Sequence, residues 1–125
     1  MHENQISKIV VDTAYKIHST MGPGLFESVY EKIMFYELTS LRLHVERQKK
    51  LPVIWKEQKI ELGFRADLII ENKVIIEIKS IERLAPVHSK QLLTYLKLTG
   101  LKLGLLINYN EYLIRDGIYR IVNTL

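Results

Sequence analysis

The sequence predicts one α/β domain over residues 1–125 with the element order ααβββαββ. Apolar side chains recur at helical spacing through residues 4–40, and Val45 to Ile81 switches to extended, alternating segments. Residues 86–100 then return to a helical pattern before two short apolar runs. A chain of 125 residues with 47% hydrophobic content can build one core and is too short for two ordinary ones.

In the first helix, residues 4–19, Ile6, Ile9, Val10, Thr13 and Ile17 form a single stripe at i, i+3, i+4, i+7 and i+11. The MGPG segment ends it, because Gly22 and Gly24 accept positive φ and Pro23 has no N–H and restrains its predecessor. A second helix runs from Leu25 to about Ser40, with Leu25, Val29, Ile33 and Tyr36 on one face. VERQKKLPVIW and KIELGFRADLII are two extended segments around a polar turn at Glu57 and Gln58. VIIEIKSI is a third strand, reached through Glu71, Asn72 and Lys73. Pro86 suits a first helical turn and Gly100 a C-terminal stop, which bounds a third helix. LGLLINY is apolar throughout, as in a strand buried on both faces, and GIYRIV is a more peripheral last strand. A buried central strand explains LGLLINYNEYLI better than pairing across a dimer does.

With no cysteine, disulfides and thiolate metal sites are excluded, so a metal would be held by carboxylates, histidines, carbonyl groups or water, a donor set suited to Mg²⁺ or Mn²⁺. No apolar run approaches the ~20 residues of a spanning helix, and MHENQISKIV lacks the apolar segment of a secretory signal. A soluble, cytoplasmic protein without a membrane partner is expected. The net charge of +4 and pI of about 9.3 lean toward a polyanionic partner. Much of the surplus lies in Arg42, Arg47, Lys49, Lys50, Lys56 and Lys59, which would serve either nucleic-acid contact or the charged protection of a solvated sheet edge.

The second and third strands should form an antiparallel hairpin. If its loop is centred on Asn72, Asp67 lies opposite Glu77 and Arg65 opposite Lys79. One face then carries Arg65, Asp67, Glu77 and Lys79 near Ile69 and Ile75, and the other carries Ala66, Leu68, Ile70, Val74, Ile76 and Ile78. Opposed residues have Cβ atoms roughly 5 Å apart, close enough for two carboxylates to ligate one hard cation. A solvent-facing row of ion pairs is the alternative for so short a pattern.

Neighbouring residues favour the metal site. Gly24-Leu25-Phe26-Glu27-Ser28-Val29-Tyr30, Asp67, Glu77-Ile78-Lys79 and the Gln91-to-Tyr95 segment QLLTY together resemble the GxxExxY family of the PD-(D/E)XK nuclease superfamily over nearly the whole chain. Ala66 departs from the proline of the superfamily name, a position that ligates nothing. The resemblance implies a restriction-endonuclease-like core, a central mixed sheet flanked by helices, and metal-dependent hydrolysis of nucleic acid, DNA before RNA.

In that reading Asp67 and Glu77 hold Mg²⁺ or Mn²⁺, with the Ile78 carbonyl and Glu27 as further ligands, and Lys79 serves the attacking water and the phosphorus oxygens. Glu27 would otherwise complement its helix dipole. Tyr30, one turn on, contacts substrate or packs. Gln91 and Tyr95 share a helix face with His88, so Gln91 can reach a phosphate or water and Tyr95 can stack on a nucleotide or pack in the core. His88 and His18 otherwise serve as caps or surface groups. Two other functions fit the chain: a catalytically silent module binding nucleic acid or protein, and a small subunit whose partner supplies specificity.

Overall fold

The computed structural model describes the backbone of residues 1–125 and every side chain except that of Leu62. Helices α1 (Glu3–Met21) and α2 (Glu27–Ser40) precede strands β1 (Val45–Trp55), β2 (Gln58–Ile70) and β3 (Val74–Lys79). Helix α3 (Pro86–Thr99), β4 (Leu103–Asn108), a 3₁₀ turn (Ile114–Gly117) and β5 (Ile118–Val122) complete the chain. The predicted element order is the observed one, with boundaries shifted by a few residues.

The strands form one five-stranded sheet in the order β1-β2-β3-β4-β5. Its pairings are antiparallel except β3 with β4, which run parallel because α3 carries the chain back across the sheet. The sheet is therefore mixed. Strand β4 is buried along its whole length between β3 and β5, which accounts for its uninterrupted apolar sequence.

Alternation along β3 divides the core into two layers. Val74, Ile76 and Ile78 face α1 and α2, joining Ile6, Val10, Ala14, Tyr30, Met34 and Leu38. Ile75 points the other way, toward Leu92 and Leu96 of α3, with Ile69 and Leu106. Gly104 permits that close approach: a Cβ there would sit 2.9 Å from the Leu92 side chain.

The α1 stripe is buried as expected through Ile6, Val10, Thr13 and Ile17, whereas the α2 face is rotated. Tyr30, Met34 and Leu38 are buried at intervals of four, and Tyr36, expected on the inner face, is 69% exposed. The Tyr30 ring sets this rotation. It stacks on Tyr109 at 4.2 Å between centroids, and its hydroxyl donates to the Gly22 carbonyl at 2.6 Å and accepts from the Leu25 N–H at 3.2 Å. Tyr30 thus clamps the Gly-Pro-Gly turn to the core.

The β2–β3 hairpin has the expected register, with Leu68, Ile69 and Ile70 opposite Ile76, Ile75 and Val74, each pair equidistant from Asn72. The ladder stops at Leu68–Ile76, however, and upstream of it β2 pairs with β1 alone. Two placements differ as a result. Ala66 belongs to the α3-side core with Ile75 and Leu92, not to the layer of Leu68. Arg65 faces Lys50 of β1 and does not reach Lys79. The ribbon twists at this point, where Gln48, beside Asp67, takes a left-handed φ of 49°.

Tyr109 is fully buried, and its hydroxyl has no hydrogen-bond partner among the described residues. Tyr109→Phe keeps the stack and removes a costly polar atom, so thermal denaturation should show an unchanged or higher melting temperature, by up to about 1–3 kcal/mol in stability. A lower one would mean that the hydroxyl is paired in solution.

Candidate active site

The site forms where the β2–β3 ladder opens. Beyond Leu68–Ile76 the two strands are joined by side chains: the Ile78 N–H donates to the Asp67 carboxylate at 2.8 Å, and the Asp67 N–H donates to the Glu77 carboxylate at 3.4 Å. Asp67 and Glu77 come together as the hairpin register predicts. Lys79 follows two residues on, and its ammonium favours the charged form of both carboxylates.

Helix α2 supplies the opposite wall. The Glu27 carboxylate accepts from the Ser80 N–H at 3.0 Å, just past Lys79, and the Ser80 hydroxyl donates to the Leu25 carbonyl at 2.6 Å. Glu31, one turn after Glu27 and only 6% exposed, accepts from Arg47 at 3.2 Å and from the Gln48 amide at 2.5 Å. The same Gln48 nitrogen donates to Asp67 at 3.2 Å, so one amide bridges carboxylates from α2 and β2. Glu27, Ser28, Glu31, Arg47, Gln48 and Asp67 line a cavity of about 360 Å³.

Electrostatics reflect this crowding. Burial raises the Glu77 carboxyl to about 8, and the charge of Asp67 adds to the shift. Burial also raises the Asp67 carboxyl, against the hydrogen bond from Ile78, and Glu31 pushes it further up. Two half-buried carboxylates whose charges oppose each other suit a hard cation. Among the described residues no three His, Cys, Asp or Glu side chains converge on one point, so a cation here would draw much of its shell from water and substrate, as Mg²⁺ commonly does.

Helix α3 contributes its Tyr95 ring, stacked on Phe64 of β2 at 3.5 Å between centroids. Burial raises the Tyr95 phenol, Glu77 and Asp67 raise it further, and a hydrogen bond with Gln91 acts against them. The Tyr95 phenol therefore lies within the field of the acidic pair. His88 instead uses Nδ1 to accept the Ala85 N–H at 3.0 Å, as an N-terminal cap of α3. His18 bonds the Glu111 carbonyl through Nε2 at 2.8 Å. Tyr30 is held in the core and Arg65 faces Lys50 at the base of the β1–β2 ribbon, so neither joins the acidic pair.

A model of the PD-(D/E)XK nuclease superfamily matches residues 4–121. The chain belongs to that superfamily. Its members are mostly nucleases and generally use divalent metals, and the mixed sheet flanked by helices agrees with its restriction-endonuclease-like fold. Comparison with curated proteins and with solved structures finds no match. No helix among the described residues is long and apolar enough to cross a membrane.

Glu31 and Gln48 line the cleft and Asn108 braces the chain behind it, three placements that the sequence reading does not include. Glu31 lies at i+4 from Glu27, so helical spacing alone could have placed both on one face. Asn108 is fully buried at the end of β4, where a polar residue closes an apolar run. Its side chain donates to the Ile81 carbonyl at 2.9 Å and accepts from the Ile81 N–H at 3.1 Å, fixing the chain just after Lys79.

Asn108→Ala leaves both Ile81 groups unpaired and should lower stability in urea denaturation by about 1–3 kcal/mol. A loss well below 1 kcal/mol would mean that Ile81 does not need the clamp. Glu77 carries a pH signature as well. With its carboxyl near 8 in the folded protein and 4.5 in the unfolded chain, the native state holds the extra proton between those values. Stability without divalent ions should fall as pH rises from about 5 to 8, and Glu77→Gln should flatten that fall. Parallel pH profiles would place the shifted group elsewhere.

Proposed function

We propose that this chain is a Mg²⁺- or Mn²⁺-dependent phosphodiester hydrolase acting on nucleic acid, DNA before RNA. The observation that carries the proposal is the pairing of Asp67 with Glu77 at the open end of the β2–β3 ladder, with Lys79 two residues away. A divalent ion bound there would polarise the phosphate and ease deprotonation of the attacking water.

The residues divide this work. Asp67 and Glu77 would hold the ion, with the Ile78 carbonyl as a further ligand, and the loss of their protons as pH increases would favour the cation. Lys79 orients the water and stabilises the negative charge that develops on the phosphorus oxygens. Glu27, steadied by the Ser80 N–H, accepts a hydrogen bond from water in the cleft or joins the metal shell. Gln91 contacts the phosphate, and the Tyr95 phenol, kept protonated, donates to it or presents its ring edge to a nucleotide. His88 positions the start of α3 through its cap. Within this domain, sequence choice would rest on shape and phosphate contacts, or a protein partner would supply it. A cytoplasmic setting, where Mg²⁺ is plentiful, suits this chemistry.

Cleavage of end-labelled single- and double-stranded DNA and RNA, with Mg²⁺, Mn²⁺ or EDTA, tests the proposal. Cleavage should require the metal and fall by about 10²-fold or more in Lys79→Ala. Metal should raise the melting temperature of the wild type and of Lys79→Ala, but much less that of Asp67→Ala or Glu77→Ala. Equal metal shifts in all four proteins would put the ion elsewhere, and cleavage surviving in Lys79→Ala would remove the lysine from the chemistry.

A further inference from the structure

Upstream of Leu68, strands β1 and β2 form a two-stranded arm whose pairing runs from Lys49–Ala66 to Trp55–Gln58 without contact to β3 in the ladder. Lys56 and Glu57 close it with φ values of 47° and 68°, the left-handed pair of a type I′ hairpin turn. From Lys50 to Trp55 the arm extends about 17 Å at 3.3–3.4 Å per residue. At its base the Phe64 ring is stacked on Tyr95, which ties the arm to α3 beside the acidic pair. A bulge between Leu51 and Val53 brings Gly63 so close that a Cβ would lie 2.1 Å from the Leu51 carbonyl oxygen.

Charge is concentrated on this arm. Residues 49–65 contain Lys49, Lys50, Lys56, Lys59 and Arg65 against Glu57 and Glu61, five minus two, which is +3 of the chain's +4. Lys49 is paired with Glu46 at 2.6 Å and Lys59 with Glu61 at 3.8 Å. Lys50 and Arg65 are different. They stand directly opposite each other, both exposed, and neither forms an ion pair among the described residues. Like charges opposed across a ladder repel, and an anion between them converts that cost into binding. The two line a cavity of about 370 Å³ with Glu61, Gly63 and Phe64, and Glu61 is the carboxylate already engaged by Lys59.

The tip adds an aromatic surface. Trp55 is 63% exposed on the opposite face of the ribbon from Lys50 and Arg65, Ile60 shares its face, and the Lys56 ammonium lies 5.7 Å from the Trp55 ring centre. An exposed indole among lysines suits a nucleobase above a phosphate chain. It does not suit a second copy of the same arm, whose equal charge would repel it.

We infer that the β1–β2 arm is a docking surface for the nucleic-acid backbone, with Lys50 and Arg65 gripping a phosphate next to the cleft and Trp55, on the other face of the ribbon, stacking on a base of a strand that wraps around the tip. The identity of the polyanion rests on the nuclease reading above. Arg65 is two residues from Asp67, about 7 Å along the strand, so the gripped phosphate would lie within a nucleotide or two of the scissile one.

Binding of fluorescent single-stranded and duplex DNA oligonucleotides, followed by anisotropy in EDTA across a salt series, tests this without any turnover. Lys50→Ala/Arg65→Ala should weaken binding about tenfold or more and reduce the slope of log K against log salt by about 1, the loss of one phosphate contact. Trp55→Ala should weaken single-strand binding about tenfold and leave the salt slope unchanged. Melting curves verify folding, and Lys50→Gln/Arg65→Gln serves if the alanine pair does not fold. Unchanged affinity and slope in these variants, or no binding by the wild type, overturns the arm. So does a dimer in sedimentation that Trp55→Ser dissolves without affecting DNA binding, since a second copy would then occupy the tip. A wild type that binds through the arm but never cleaves would sink the nuclease reading alone, whereas cleavage with an unchanged KM in the arm variants would sink the arm alone.

Discussion

One exchange of hydrogen-bond partners organises the functional end of this molecule: the Ile78 N–H bonds the Asp67 carboxylate at 2.8 Å instead of a backbone carbonyl of β2. A continued ladder would have zipped β2 to β3 and sealed the sheet. Because a side chain substitutes for the backbone, the strands fork, the Asp67 N–H turns to the Glu77 carboxylate, and a cleft opens at the fork. Backbone groups in a buried sheet must be satisfied somewhere, so the carboxylates are fixed by the same bonds that keep the strand ends intact. Position and stability are thereby linked in two residues.

The acidic walls of this cleft are held apart by neutral and cationic groups from β1. Arg47 and Gln48 both donate to Glu31, and Gln48 reaches Asp67 as well. The Gln48 hydrogen bond offsets part of the desolvation that raises Asp67, and Lys79 supplies compensation from β3 for both Asp67 and Glu77. The remaining imbalance favours protonation of Glu77 at neutral pH, a state that a divalent cation would displace. Asn108 and Ser80 complete the arrangement from behind by fixing the turn of chain after Lys79.

Local patterns were legible in the sequence because they arise from local geometry. The Asn72-centred hairpin needs only the alternation of side chains and a short loop, and the register follows. The stripe of Ile6, Val10, Thr13 and Ile17 likewise needs only helical period. Helical spacing puts Glu31 on the face of Glu27, but its contact with Gln48 is not legible, because it spans 17 positions between a helix and a strand. Alternation alone puts Arg65 opposite Lys79 and Ala66 in the layer of Leu68, and both differ because a side chain interrupts the ladder that alternation extends. Tyr30 reads as a motif residue near the cleft, yet its partner Tyr109 lies at the far end of the chain's apolar run, where no local rule connects them.

The parallel pairing of β3 with β4 also bears on how the chain reaches its native state. The β1-β2-β3 meander closes through loops of two and three residues, so Asp67 and Glu77 can meet early. The other edge of β3 waits for β4, which lies beyond the whole of α3, and such long loops close slowly. Until then the apolar edge of β3 is open beside two repelling carboxylates. That repulsion, together with the lysines of the ribbon, would discourage the half-made sheet from pairing with another chain. The charges that serve the cleft thus also act as gatekeepers during folding.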